Sequence, residues 1–222
     1  MRYLDLLTAL FATVLLVSNV ASTKLVVLGP FTFDGGTLLF PLAYIFGDVL
    51  TEVYGYRKSR RVIWIGFFAL LLATLTFQAV AHLPAPPDAE SQRFGEAFGL
   101  LLGLTPRIVL GSRLACLLGA FANAYVLAKL KVRTEGRFFW LRALASTLVG
   151  QGLDTGVFLL VAFYGVFPKE VLLAVFLSNY AFKLGVEALM LPFTYAVVGF
   201  LKRAEGMDAY DRDTDFNPFR LT

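Results

Sequence analysis

The sequence predicts an all-α integral membrane protein with six transmembrane helices and both termini in the cytoplasm. Three observations carry that expectation. Apolar residues make up 58% of the 222-residue chain and charged residues 16%, where a soluble domain carries about a quarter charged. Six apolar windows are each long enough for a hydrocarbon core of about 30 Å, which takes about 20 helical residues. The basic residues gather at the ends of those windows, and mostly at alternate ends.

The windows run 4–23, 37–56, 62–82, 108–128, 140–164 and 171–200. The first is too long for the apolar part of a secretory leader, has only Arg2 ahead of it and no A-x-A site behind it, so it reads as a retained helix. The second lies in FPLAYIFGDVLTEVYGYRKSRR at 40–61, where two carboxylates precede a basic cluster. The third ends at His82, and a lone histidine there reads as an interfacial residue rather than a metal ligand. The loop 83–107, LPAPPDAESQRFGEAFGLLLGLTPR, follows. Its prolines and glycines stop the third helix, and FGEAFGLLLGL suits a short interfacial piece. The fourth window holds Cys116, the single cysteine, which excludes a disulfide or a cysteine metal site within the chain. After the sixth, GMDAYDRDTDFNPF is polar and acidic and reads as disordered. Residues 1–204 are therefore expected to form one transmembrane domain and 205–222 a cytoplasmic tail.

With the N-terminus inside, the inner segments hold 14 basic residues: Arg2, Arg57, Lys58, Arg60, Arg61, Lys129, Lys131, Arg133, Arg137, Arg142, Lys202, Arg203, Arg212 and Arg220. The outer segments hold 4, namely Lys24, Arg93, Arg107 and Lys169. The net charge of +4 thus reflects topology and not a nucleic-acid surface. A weak internal echo, SNVASTK at 18–24 and SNYAFK at 178–183, fits two inverted halves of three helices each.

Polar residues inside the windows are the candidate site. Asp48 and Glu52 are four apart and share a face with Tyr44 and, a further turn away, Phe40. Glu52 could instead reach the interface or pair with Arg57 or Lys58. Other windows carry Ser18 and Asn19, Arg113 and Asn123, Gln151 and Asp154, and the stripe Asn179, Lys183 and Glu187. Six ionisable groups facing lipid would cost more than about 10 kcal/mol, so they must face one another or a wet cavity. Lys183 could pair with Glu187 along its own helix, and Arg113 with an acid on a neighbour. Four acids against two bases leave two carboxylates over, which suits a pocket that takes up protons or a ligand rich in donors. Aromatic walls with a few polar groups describe a small-molecule pocket, although most of the 22 Phe and 9 Tyr serve packing or lipid contact. No P-loop, zincin or cysteine cluster occurs, so neither nucleotide hydrolysis nor a resident cofactor is implied.

DGGTLLFPLAYIFGDVLTEVYGYRKSRRVIW at 34–64 resembles the signature of the queuosine precursor transporter family, also described as vitamin uptake transporters. SNVASTKLV at 18–26, ANAYVLAKLK at 122–131, STLVGQGLDTGVF at 146–158 and LSNYAFKLGVEALMLPFTY at 177–195 extend the likeness over nearly the whole chain. The resemblance implies a bacterial inner-membrane importer of 7-cyano- and 7-aminomethyl-7-deazaguanine, bases later inserted into tRNA. Such a base presents a ring N–H beside an exocyclic amine, which one carboxylate can accept together. Asp48 or Glu187 is the expected acceptor, with Asn19, Asn123, Gln151 and Asn179 as amide contacts, Asp154 as a second acid, and Lys183 and Arg113 for balance. Gln151 stands where the resemblance leads one to expect a carboxylate in many relatives, which shifts charge recognition here toward Asp154. The partners implied are the base, the bilayer and, through small-residue faces at Gly111, Gly119 and Gly150–Gly156, either a second copy or the chain's own helices. Two alternatives remain at this point. One is a substrate-binding subunit served by a separate ATPase, although the first helix lacks the A-x-x-x-A face usual for docking. The other is a membrane scaffold whose polar stripes are filled by pairing.

Overall fold

A computed structural model describes residues 1–28, 31–103 and 106–220. Residues 104–105 of the long loop and 221–222 of the tail lie outside the described residues. The elements are α1 (Leu4–Ala21), β1 (Leu25–Leu28), β2 (Phe31–Asp34), a 3₁₀ turn (Gly35–Leu38), α2 (Phe40–Tyr54), α3 (Tyr56–Ala81), α4 (Ala89–Leu102), α5 (Pro106–Arg133), α6 (Phe139–Phe163) and α7 (Lys169–Glu205).

Five of these helices, α1, α3, α5, α6 and α7, are long and apolar enough to cross a bilayer. Their outward surface is apolar: Leu6, Leu72, Leu118, Leu160 and Leu189 are all exposed. Arg60, Arg142, Lys131, Gln151, Glu52 and Glu187 are instead among the largest fully buried side chains. Apolar residues outside and charges inside is the arrangement that lipid, not water, stabilises.

The sixth window behaves differently. Helix α2 is only 15 residues long, about 22 Å at 1.5 Å per residue. It starts on Pro41 in its first turn, where a missing N–H costs nothing. Side chains from Ala43 to Tyr54 are mostly buried, with Asp48 and Val53 at 0% exposure. Helices α1, α3, α5 and α7 all pack against it. It is the central post of the bundle.

Two features were not expected from the sequence. Leu25–Leu28 and Phe31–Asp34 form an antiparallel hairpin, with Leu25 opposite Asp34 and Leu28 opposite Phe31. The signal was present: LVVL and FTFD flank Gly-Pro, a turn dipeptide between β-favouring runs. The hairpin returns the chain to the end of α1, where Gly35 N–H donates to Lys24 O at 2.8 Å. The other feature corrects the expected disordered tail. Residues 207–219 pack against the bundle. Tyr56 donates to Phe216 O (3.1 Å), Arg60 to Asp215 O (2.9 Å) and Trp64 Nε1 to Pro218 O (2.7 Å). Phe216 lies 4.9 Å from the Tyr56 ring and under Lys129 Nζ at 4.1 Å. The tail's polarity suggested solvation, but its acids and carbonyls satisfy cations at the helix ends.

In the loop 83–107, where a short interfacial piece was expected, the chain forms α4, capped by Asp88, which accepts from Ser91 N–H at 2.8 Å. None of its side chains is buried.

Candidate functional site

The interior is set by how closely α5 and α6 approach. A Cβ on Gly119 would lie 2.9 Å from Gly150 O and 2.8 Å from the Asp154 Cβ, and one on Gly150 would lie 2.9 Å from the Asn123 Cβ. Only glycine allows the two backbones this near. Gly111 faces Ala162, Gly152 faces Tyr180 and Gly156 faces Phe176. The small-residue faces are thus used within the chain.

This crossing carries Asn123 and Asp154 toward α2. Asn123 Nδ2 donates to Asp48 Oδ1 at 2.7 Å. Glu187, from α7, lies beside Asp48 across the contact between α2 and α7. No N–H or hydroxyl donates to Asp48 Oδ2, Asn123 Oδ1 or Gln151 Oε1 among the described residues, and the Thr147 and Thr155 hydroxyls are likewise unpartnered. Beside this group lies a cavity of about 40 Å³ lined by Tyr44, Gly47, Cys116, Asn123 and Asp154. By the space one water occupies it holds about three waters. A bicyclic ring requires the bundle to open further.

Asp154 pairs with Lys183 Nζ at 3.0 Å. This corrects the expected Lys183–Glu187 pair: α7 turns Glu187 onto Asp48 of α2 and Lys183 onto α6. Asn179, one turn earlier, is exposed and stands apart from the cluster. The Phe40 side chain lies outside what is described.

Glu52 occupies a second cluster at the end of the bundle. Its carboxylate accepts from Arg142 Nη1 at 2.5 Å and Lys202 Nζ at 2.7 Å, with Lys131 Nζ at 3.5 Å. Lys131 also donates to Glu52 O at 2.6 Å and to Asp208. Pairing with Arg57 or Lys58 does not occur. Gly55, at φ 82°, breaks the chain between α2 and α3 and turns those residues away. The three basic partners come from α5, α6 and α7, so adjacent sequence gave no sign of them.

Arg113 stands at the other end of the interior. Its Nη2 donates to Asn19 Oδ1 at 2.9 Å, not to an acid as expected. Its Nε and Nη1 have no partner among the described residues. Asp154 and Lys183 pair, while Asp48, Glu187 and Arg113 have no ion-pair partner among the described residues.

The described structure therefore gathers Tyr44, Asp48, Asn123, Gln151, Asp154, Lys183 and Glu187 around one buried region. Asn19 and Arg113 lie at its outer side, Glu52 lies in the end cluster, and Asn179 is left outside. Sequence reasoning missed Thr147 and Thr155, which the STLVGQGLDT run placed on one face with Gln151.

Comparison with known proteins accords with this picture. Residues 34–197 match the family described as "Putative vitamin uptake transporter". A Bacillus subtilis protein named "Probable queuosine precursor transporter" is 36% identical over 188 residues, covering 84% of this chain and 80% of the relative. The Escherichia coli "Queuosine precursor transporter" is 26% identical over 73% of this chain and 71% of its own. No solved structure matches significantly.

Proposed function

From the premise that the chain belongs to the "Putative vitamin uptake transporter" family, we propose that it imports the queuosine precursors 7-cyano- and 7-aminomethyl-7-deazaguanine across a bacterial inner membrane. The observation that carries the reading is the set of buried acceptors, Asp48 Oδ2, Asn123 Oδ1 and Gln151 Oε1, without an N–H donor. An amino group beside a ring N–H supplies the missing donors, and Tyr44 offers a ring for stacking. The relatives' names, all queuosine precursor transporters, support the same substrate class.

The proposed topology has six crossings with both termini inside, and two halves of three helices on either side of α4. Helix α2 with its preceding 3₁₀ turn extends about 30 Å, at 1.5 and 2.0 Å per residue, which matches the hydrocarbon core. The charge asymmetry of the loops supports the orientation.

Thermal stability of the purified protein tests the reading, measured with 7-cyano-7-deazaguanine, guanine and thiamine. A ligand at a hundredfold over its dissociation constant stabilises by roughly 2.7 kcal/mol. The deazaguanine is expected to raise the melting temperature more than guanine, with no response to thiamine. A response to thiamine alone would overturn the substrate assignment.

A further inference from the structure

The side of the interior away from Glu52 holds a second cavity that the proposed reading does not use. It lies between α1, α3, α4 and α5 and is lined by Asn19, Thr23, Thr74, Phe77, Gln78 and Arg113, with leucine, valine and alanine side chains closing the rest. Its volume is about 30 Å³, room for about two waters. That admits a linear nitrile or a carbonyl group, with the ring that bears it held at the mouth.

Arg113 makes this cavity more than a packing gap. The residue is 6% exposed, and no carboxylate pairs with it among the described residues. Asn19 holds one arm of the guanidinium at 2.9 Å and is itself tied to Leu15 O at 3.4 Å, which fixes the fork. The Nε and Nη1 donors remain unused among the described residues. Burying such donors without partners is costly, so the arrangement suits a group that arrives with acceptors. The neighbouring polar side chains do not supply them: the Thr74 hydroxyl donates to Leu70 O and the Gln78 amide to Leu102 O. Along α5, Arg113 precedes Asn123 by ten residues, about 15 Å at 1.5 Å per residue. Cys116, one turn on from Arg113, already lines the inner cavity. The two cavities are successive stations along one helix.

We infer that the Arg113 cavity is an outer selectivity site, which accepts the neutral, acceptor-bearing 7-substituent of the base and disfavours its cationic aminomethyl counterpart. The inference rests on the proposed substrate class. The chemistry is direct. A fixed guanidinium donates to a nitrile nitrogen or a carbonyl oxygen. It repels an ammonium, which has no acceptor to offer. The inner carboxyl pair reads the amino edge shared by both bases, so the choice between them falls to the outer site.

Equilibrium binding of 7-cyano- and 7-aminomethyl-7-deazaguanine to the purified full-length chain tests this, in wild type, Arg113→Gln, Arg113→Lys and Asn19→Ala. The wild type is expected to bind the cyano form more tightly. Arg113→Gln is expected to weaken the cyano form on the order of tenfold while leaving the aminomethyl form level or tighter, so the preference disappears. Arg113→Lys keeps the charge but not the fork, and is expected to go on rejecting the cation while binding the cyano form less well. Asn19→Ala leaves the charge in place and should reduce the preference severalfold, which covers the case of an unfolded Arg113 variant. An equal loss for both bases in Arg113→Gln would overturn the inference and make Arg113 a structural counter-charge. So would an unchanged preference in Arg113→Gln or Asn19→Ala. Inorganic phosphate or chloride that stabilises the wild type saturably, but not Arg113→Gln, would make the cavity an anion site and overturn it too. A wild type that binds neither base is a different failure, which removes the substrate class itself and this inference with it.

Discussion

Asp48 and Glu52 sit one turn apart on α2, yet their surroundings give them different work. Glu52 is held by Arg142, Lys202 and Lys131, so removing its charge leaves buried Arg142 without a carboxylate and Lys131 and Lys202 with Asp208 alone. Glu52→Gln is expected to destabilise the fold by about 3–5 kcal/mol, read as a large drop in melting temperature in detergent. Asp48 has one donor, Asn123 Nδ2, and its Oδ2 has none among the described residues. Asp48→Asn keeps the shape and removes the acceptor that a base would use. It is expected to fold while losing the melting shift with 7-cyano-7-deazaguanine. A retained shift would move Asp48 to a purely structural role.

Among the elements, the α5–α6 crossing and the C-terminal tail each position the interior from outside it. At the crossing a single methyl group is too large, since Gly119→Ala would place its Cβ 2.8 Å from the Asp154 Cβ. Overpacking of this kind costs about 1–3 kcal/mol, and here it also pushes Asp154 and Asn123 away from α2. Transport should fall further than stability does, measured by uptake beside melting temperature. The tail is held at Asp208. Partial burial alone would raise its carboxyl, but hydrogen bonds from Lys131 and Lys202 outweigh burial and hold it below its ordinary value of 3.8. A lowered folded-state value contributes stability above the ordinary value, and that stability is lost as pH falls through the lowered one. Hydrogen exchange of residues 207–219 is therefore expected to stay slow at neutral pH and to quicken only below about pH 4. Asp208→Asn should give the fast exchange already at neutral pH.

On the scale of the whole molecule, the prediction is sidedness. The turn after α2, the turn between α5 and α6, the N-terminus and the tail all meet at one end. Glu205 there accepts from the Arg2 and Tyr3 N–H groups and from Tyr54. Helix α4 lies at the other end. In a Cys116→Ser background, Glu96→Cys is expected to react with a membrane-impermeant thiol reagent in intact cells, and Asp213→Cys only after lysis. The reverse pattern would invert the proposed orientation. Proteoliposomes holding this chain alone are expected to accumulate the labelled base. Uptake that needs an added ATPase would favour the subunit reading.

The sequence by itself determined the class of protein, the places of the long helices and the polar residues that the interior had to accommodate. Hydropathy and charge are local properties, and the price of burying a charge in lipid is the same wherever the chain later runs. It also carried the family, because the stretch from 34 to 64 and its companions are short and contiguous. Only the tertiary structure decided the pairing. Glu52 found partners on α5, α6 and α7, Lys183 chose Asp154 over Glu187, Arg113 took an amide in place of an acid, and the tail folded onto the helices. Each of those outcomes depends on how helices distant in sequence are rotated against α2. That rotation follows from close contacts such as Gly119 on Gly150, which no periodicity along one helix records.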